Sequence, residues 1–542
     1  MRVLAAGDAA VLVELRDLAE ASALLASLVA DPVEGTGEPV PGARTVLVPF
    51  LPHRTSAPAV AAAVRARSLA AVAATGARLV EIPVVYDGED LEALAAALGW
   101  SPQELVRRHG EARWRVGFMG FAPGFAYLTC ADAAWPDVPR RTTPRTRVPA
   151  GAVALAGPYA GVYPRSSPGG WQLVGRTDAP VWDVNREPPA LWTPGDDVRF
   201  RQVAASAVEV GRVAAPHRSD RPHPGHRALD VVAPGAQAVV EDLGRGGVAH
   251  LGVGASGAAD RRSLRAANRA VGNETGAAAV ETEGGLHVRA SGHLVVALAG
   301  APAPAEIRRS GAAEPAEAPF AAPFALRDRD ELLLGAPPRG RRTYLAVRGG
   351  LDAAVTLGSR STDTLGHVGP PRLAAGARLP VGTAPIAAVE TSDAGAPDPA
   401  TLPAPGETAT LRVVAGPHDD WFDDGVAALT GQVWEVTSLA DRVGVRLAGE
   451  ALRRTAAHAD AELPSEGMVT GAVQVPPNGQ PILFLPDHPV TGGYPPVAVV
   501  IEADLPLLGQ LPAGARVRFD VFHSQPRHPA ESPCRSCENG RS

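Results

Sequence analysis

Glycine and proline interrupt this chain from end to end: 58 and 53 of its 542 residues. Proline removes a backbone donor and glycine weakens a helix interior, so few long helices can persist. The apolar residues between them fall into short runs: "AAVLVEL" (9–15), "RTVLVPF" (44–50), "VEIPVVY" (80–86), "ARVRFDVF" (515–522). Such runs bounded by Gly/Pro turns predict strands, and from Arg113 to Phe200 they predict a small β-barrel. Helices are expected over 17–29, 57–75 and 259–271. Another starts at Ser101-Pro102-Gln103-Glu104, a capping box with proline at the first helical position, and runs to His109 before Gly110. The fold class predicted is β-rich α+β.

One pattern occurs twice. "GAV" (151–153), "PGGWQLV" (168–174) and "GDDVRF" (195–200) are echoed in order by "GAV" (471–473), "TGGYPPV" (491–497) and "GARVRF" (514–519). Two copies of one barrel would produce this. The stretch 204–227, rich in Pro, His and Arg, divides the chain into two halves. The expected organisation is a small α/β subdomain (1–79), a barrel (80–203), a linker (204–227), the first part of the second half (228–410), a second barrel (411–525) and a disordered tail (526–542).

A net charge of −7 argues against nucleic-acid binding. No apolar run is long enough to span a membrane. Asp8 and Glu14 stand where an export signal would be apolar, and three cysteines suit a reducing compartment, so the expected location is cytoplasmic. Cys534-x-x-Cys537 lacks a second pair, and an inert tail is expected there. All 51 basic residues are arginine. Without lysine there is no Schiff base, no P-loop lysine and no covalent biotin on this chain. An anion must be met by arginine, backbone amides, helix N-termini or metal.

The stretch "RWRVGFMGFAPGFAYL" (113–128) combines glycines with phenylalanines. Either Phe118, Phe121 and Phe125 wall a ligand cleft to which Gly120 and Gly124 give access, or they pack inside a glycine-kinked barrel strand. With "RVPAGAVALAGPYAGVYPRSSPGGWQLVGRT" (147–177), this stretch resembles the B subunit of bacterial ATP-dependent 5-oxoprolinase, also called allophanate hydrolase subunit 1. "EDLGRGGVAHLGVGASGAADRRSLRAANRAVGN" (241–273), "GPHDDWF" (416–422), "SLADRVGVRLAG" (438–449) and "GMVTGAVQVPPNGQPILFLPDHPVTGGYP" (467–495) resemble its C subunit. The resemblance implies two fused halves with cyclophilin-like β-barrels, ATP and Mg²⁺ as cofactors, and a LamB/YcsF-like A-type subunit as partner. The implied activity is lactam activation and hydrolysis of 5-oxoproline to glutamate. The same motifs resemble the carboxyltransferase part of urea carboxylase, which would act on a urea-like amide with biotin on a separate carrier. The first half also resembles a kinase-inhibiting binding protein.

Opening a resonance-stabilised lactam through a phosphorylated intermediate needs cations for anionic groups and a proton acceptor. The cation candidates are Arg147 and Arg176, which lie in matching motifs, and Arg442, with the cluster Arg140, Arg141, Arg145 as a basic loop or an anion clamp. In a strand, Arg442 and Arg446 would share one face, with Asp441 as an internal partner. Asp487-His488 is a candidate acid/base pair or metal ligand, although Pro489 and Val490 replace the family's Gln and Thr. Glu466 and Gln474 are expected to face the same cleft. His109 at the end of its helix, Phe121, Gly124, Gly170 and Tyr494 complete the expected substrate-binding set. The helix start near Gly257-Ala258 is a possible phosphate site. The GFMGFAPGF segment and residues 465–495 are expected to share one arginine-bearing cleft between the barrels.

Overall fold

A computed structural model of the chain describes residues 1–69, 77–130, 135–207, 227–383, 387–389 and 398–523. The Cys534/Cys537 tail and most of the expected linker lie outside these residues.

The N-terminal subdomain is a four-stranded antiparallel sheet, with Arg2–Ala5, Ala10–Glu14, Thr45–Pro49 and Val40–Pro41 adjacent in that order. Its central strand reads as an unbroken apolar run because both faces are covered. Val11 and Val13 pack with Leu24 and Leu28 of helix Leu18–Ala30 and Val60 of helix Ala57–Arg65. Leu12 and Leu47 face Val490 of the second half. The second helix is shorter than the 57–75 expected. It ends at Arg65, followed by Arg67, whose side chain binds Asp31 at 2.7 Å.

Both expected barrels are present. The first has strands β1 (Leu79–Val84), β2 (Trp114–Met119), β3 (Ala126–Cys130), β4 (Ala152–Ala156), β5 (Tyr159–Val162), β6 (Gln172–Arg176) and β7 (Asp197–Gln202), adjacent in the order β6-β4-β5-β3-β2-β7-β1. Paired bonds of 2.9 Å between the backbones of Val85 and Arg176 close it. The second has β8 (Thr408–Ala415), β9 (Val433–Val436), β10 (Gly444–Ala448), β11 (Ala472–Gln474), β12 (Ile482–Phe484), β13 (Pro496–Val500) and β14 (Arg516–Val521), closed in the order β8-β13-β11-β12-β10-β9-β14. The two orders coincide strand for strand. In each barrel the first and last strands pair parallel.

The echoed residues hold equivalent places. Gly151 (φ +78°) and Gly471 (φ +87°) enter β4 and β11 in the left-handed region, and their amides bond the carbonyls of Tyr163 and Phe484, each at 2.8 Å. Any other residue would be strained there. Fully buried Trp114 and Trp434 each donate an indole N–H to a carbonyl five residues earlier, His109 at 3.1 Å and Leu429 at 2.9 Å.

Between the barrels in sequence lies a sandwich of six- and five-stranded antiparallel sheets, Ala228 to Pro380. Helix Arg261–Ala270 packs on the five-stranded sheet through Leu264 and Ala267 against Ala297, Ala299 and Tyr344. No helix among the described residues is long and apolar enough to cross a membrane.

The halves dock directly. Leu251, Val253 and Val368 of the second half belong to the same apolar cluster as the first-barrel core. The second half's Glu502 amide bonds Asp8 at 3.0 Å, and Glu38 accepts the amides of Ala249 and His250 at 3.0 and 3.1 Å.

Candidate functional site at the seam of the two halves

The GFMGFAPGF segment is the β2–β3 hairpin, and it lies on the seam. Phe118 and Phe125 are core residues, 0% and 1% exposed, whereas Phe121 is only partly buried. The core reading of the motif therefore holds for Phe118 and Phe125, while Phe121 lies at the edge of that cluster. Phe121 takes φ +59°, and its amide donates to Thr491 Oγ1 at 3.0 Å. Gly120 must lack a side chain, since a Cβ would lie 2.1 Å from that oxygen. The Gly124 amide bonds Leu251 O at 2.9 Å, so the loop is held by both the 251 and 491 turns of the second half. Behind it stand Tyr127, Tyr163 and Trp171, packed edge-to-face on Phe125. The Tyr127 hydroxyl meets Ser465 Oγ at 3.2 Å.

Across the seam, Glu466 and Gln474 converge on Gly492. Glu466 pairs with Gly492 through the backbone, and Gln474 Nε2 donates to Tyr494 O at 3.0 Å and would lie 2.7 Å from a Cβ on Gly492. The buried Glu466 carboxylate binds His418 Nε2 at 2.8 and 3.0 Å. Burial pushes the Glu466 carboxyl above its usual range, more than His418 lowers it. His418 sits edge-on to Trp421, which stacks on His458 at 4.4 Å, and Tyr494 is half exposed at the rim. This carboxylate–imidazole pair is placed to share a proton across its hydrogen bond. His418 received no role from the sequence, although it lies in GPHDDWF; its partner is 48 residues away.

Other expected site residues lie elsewhere. Arg442 is 0% exposed and precedes β10, so it shares no face with Arg446, which is exposed. Its guanidinium binds Asp487 through Nε at 3.0 Å and Nη2 at 3.1 Å, donates to Gly257 O at 2.7 Å, and pairs with Glu281 and, at 3.3 Å, Glu241. Asp441 instead caps its own turn through the amides of Val443 and Gly444. Asp487 also accepts from Ser256 Oγ at 2.7 Å and from Thr364 N and Oγ1 at 2.9 and 2.6 Å. Burial raises its carboxyl, but Arg442 and these bonds more than offset that and hold it below the ordinary range. Arg442 and Asp487 thus satisfy one another inside the second half and have no capacity left for a ligand. His488 bonds the Pro489 carbonyl at 2.8 Å and stacks on Phe484.

His109 is a neutral core residue and not a charge at a helix end. It is 0% exposed, stacks on Phe200 at 4.3 Å and meets Tyr86 Oη through Nδ1 at 2.7 Å; burial lowers its pKa to about 3. The Arg140–147 loop is largely consumed by carboxylates: Arg141 and Arg145 clamp Asp90, and Arg140 reaches Glu462 of the second half at 3.2 Å. Among the described residues, exposed Arg147 meets only Ser166 Oγ, at 3.2 Å. Arg176 pairs with Asp87 at 2.8 Å on the outside of the barrel closure. Gly170 O accepts the Arg141 amide. At 258–260 the amides are taken: Ala258 bonds Asp242 O, Ala259 bonds Glu281, and Asp260 bonds the Tyr344 hydroxyl and caps the helix, so none of these three is free for a phosphate.

Two seven-stranded barrels docked through a glycine-aromatic hairpin define a paired-barrel class of protein, and comparison with known proteins places the chain within it. The family model described as carboxyltransferase domain, subdomain C and D, matches residues 1–192, and that described as subdomain A and B matches residues 251–521. The chain belongs to this carboxyltransferase-domain family and carries both parts in one polypeptide. It is 36% identical over 301 residues to the C subunit of 5-oxoprolinase from Escherichia coli K12, covering 54% of this chain and 90% of that protein. It is 47% identical over 126 residues to the B subunit of 5-oxoprolinase from Escherichia coli O157:H7, covering 23% of this chain and 57% of that protein. Urea amidolyase of Lachancea kluyveri is 32% identical over 315 residues, but this chain spans only 17% of its length. The crystal structure of TTHA0988 superposes with a TM-score of 0.81 at 35% identity, covering 94% of this chain and 99% of that one.

Proposed function

We propose that this chain is the fused B–C component of an ATP-dependent 5-oxoprolinase, which activates the lactam of 5-oxoproline for hydrolysis to glutamate together with an A-type subunit. The observation that supports this best is that one chain carries regions similar to both the B and the C subunits, with its two halves docked through the β2–β3 hairpin. In this reading the substrate sits at the seam against Phe121, with the Glu466–His418 pair holding a proton beside it. ATP supplies phosphorylation of the lactam oxygen. Among the described residues no three His, Cys, Asp or Glu side chains are grouped to hold a metal. Mg²⁺ would therefore be carried chiefly by nucleotide phosphates and water, as is usual for that ion.

The likeness to urea amidolyase supports a second reading, carboxyl transfer to a urea-like amide, for which a lysine-free chain would need biotin on a separate carrier. A kinase-inhibitory role would leave the matched second half without a function. Purified chain with 5-oxoproline, ATP and Mg²⁺ should release little glutamate until an A-type subunit is added. Complete turnover by this chain alone would refute the division of labour. Carboxylation of urea with a biotinylated carrier, and no glutamate under any condition, would establish the second reading.

A further inference from the structure

A second feature of the seam centres on Arg245 and Asp363. Arg245 is 3% exposed, and its Nη2 donates to Ser361 O at 2.5 Å. Its Nε and Nη1 are buried and meet no acceptor among the described residues. A buried guanidinium with two nitrogens unmatched is costly unless something else supplies the acceptors. From the first half comes Arg165, partly buried, whose Nε is also buried without an acceptor. The Thr362 hydroxyl is a third buried group without a partner among the described residues. Both arginines lie close enough to Asp363 to favour its ionised form, and among the described residues no ion pair joins either of them to it. One of its oxygens is taken by the amides of Leu365 and Gly366 at 2.9 and 2.6 Å. Burial and the nearby Asp487 raise its pKa to about 6. Exposed His367, at φ +52°, stands at the rim beside Arg165.

We infer that Arg165 and Arg245, one from each half, form a binding site for a small oxyanion, the carboxylate of an amido acid or a phosphate. The unmatched guanidinium N–H groups would donate to the anion, and the remaining Asp363 oxygen would accept from an N–H next to it. A lactam carrying a carboxylate presents both groups. The inference rests on the proposed function for that choice of ligand, but not for the anion site itself.

The test is calorimetric titration of the full chain with 5-oxoproline, with 2-pyrrolidone (the same lactam without a carboxylate) and with inorganic phosphate. 5-Oxoproline should bind at least about tenfold more tightly than 2-pyrrolidone. Arg245→Gln and Arg165→Gln should each weaken it by about tenfold or more, the worth of one charge-assisted hydrogen bond. Arg165→Gln, at a partly exposed site, should leave thermal unfolding unchanged, so the pair remains informative if Arg245→Gln fails to fold. Arginine-dependent binding of phosphate without binding of 5-oxoproline would support the anion site while counting against the oxoprolinase reading. Wild-type affinity for 5-oxoproline in both variants, or no binding of either anion to the wild-type chain, would overturn the site. In the first of these two cases the oxoprolinase reading would survive.

Discussion

At the scale of single residues, the decisive variable is whether a charged group already has its partners. Arg442 and Arg245 are both nearly inaccessible arginines, yet one is bonded on every side and the other is not. Removing Arg442 would strand Asp487, Glu281 and Glu241 in the interior. Arg442→Gln should therefore cost about 3–5 kcal/mol in urea unfolding, and a wild-type midpoint would show that the network is not structural. His109 makes a separate prediction through pH. Its folded pKa of about 3 lies below the ordinary 6.5, so the unfolded chain takes up a proton first as pH falls. The stability it contributes is complete above pH 6.5 and is lost progressively toward pH 3. The limiting slope is about 1.4 kcal/mol per pH unit. His109→Phe should flatten the acid limb by about one proton. An unaltered slope would mean that another group sets it.

Among the elements, the β2–β3 hairpin both belongs to its own barrel wall and carries the dock. Glycines on both sides of this dock are required by what stands opposite. Gly252, at φ +74°, faces Ala122 O, which would be 2.5 Å from a Cβ, and Gly120 faces Thr491. Valine at either position must push the hairpin away from the second half, at about 1–3 kcal/mol by analogy with overpacked cores. Gly195, with nothing within 4 Å of its Cβ position but φ +96°, isolates backbone strain from contact. Comparing thermal unfolding of Gly252→Val and Gly195→Ala separates the two effects. The docking role fails if Gly252→Val is no worse than Gly195→Ala.

For the whole molecule, the extent of the dock predicts that 1–207 and 227–523, expressed as separate chains, will associate. Glu38 and His250 should tune that association. The Glu38 bond raises the His250 pKa, so its contribution is present below the ordinary imidazole value of 6.5 and is lost as pH rises through the raised one. Burial opposes ionisation of Glu38, but His250 and two backbone amides outweigh it and hold the carboxyl below its ordinary 4.5. Its contribution is present above 4.5 and is lost as pH falls through the lowered value. Both contributions overlap between pH 4.5 and 6.5. The histidine is more than half exposed, so after screening the pair is worth at most about 1 kcal/mol, roughly fivefold in Kd. Dissociation constants measured across pH should show a shallow minimum in that window and none in Glu38→Gln. A monotonic profile for the wild-type halves would remove the pair from the account.

Short apolar runs between glycines and prolines were enough to determine strands, barrels and the duplication, because a left-handed turn at Gly151 or Gly471 and a Val-Arg-Phe strand are local requirements written in adjacent residues. The chemistry that lysine-free composition excludes was equally legible. Which arginine is free was not. Arg442 is saturated by Asp487, Glu281 and Glu241, which lie 45 to 201 positions away in sequence, and Glu466 meets His418 across 48 residues. Those pairings exist only once the strands have closed and the halves have docked. Side-chain availability is a property of burial and of partners distant in sequence, and only the tertiary structure decides it.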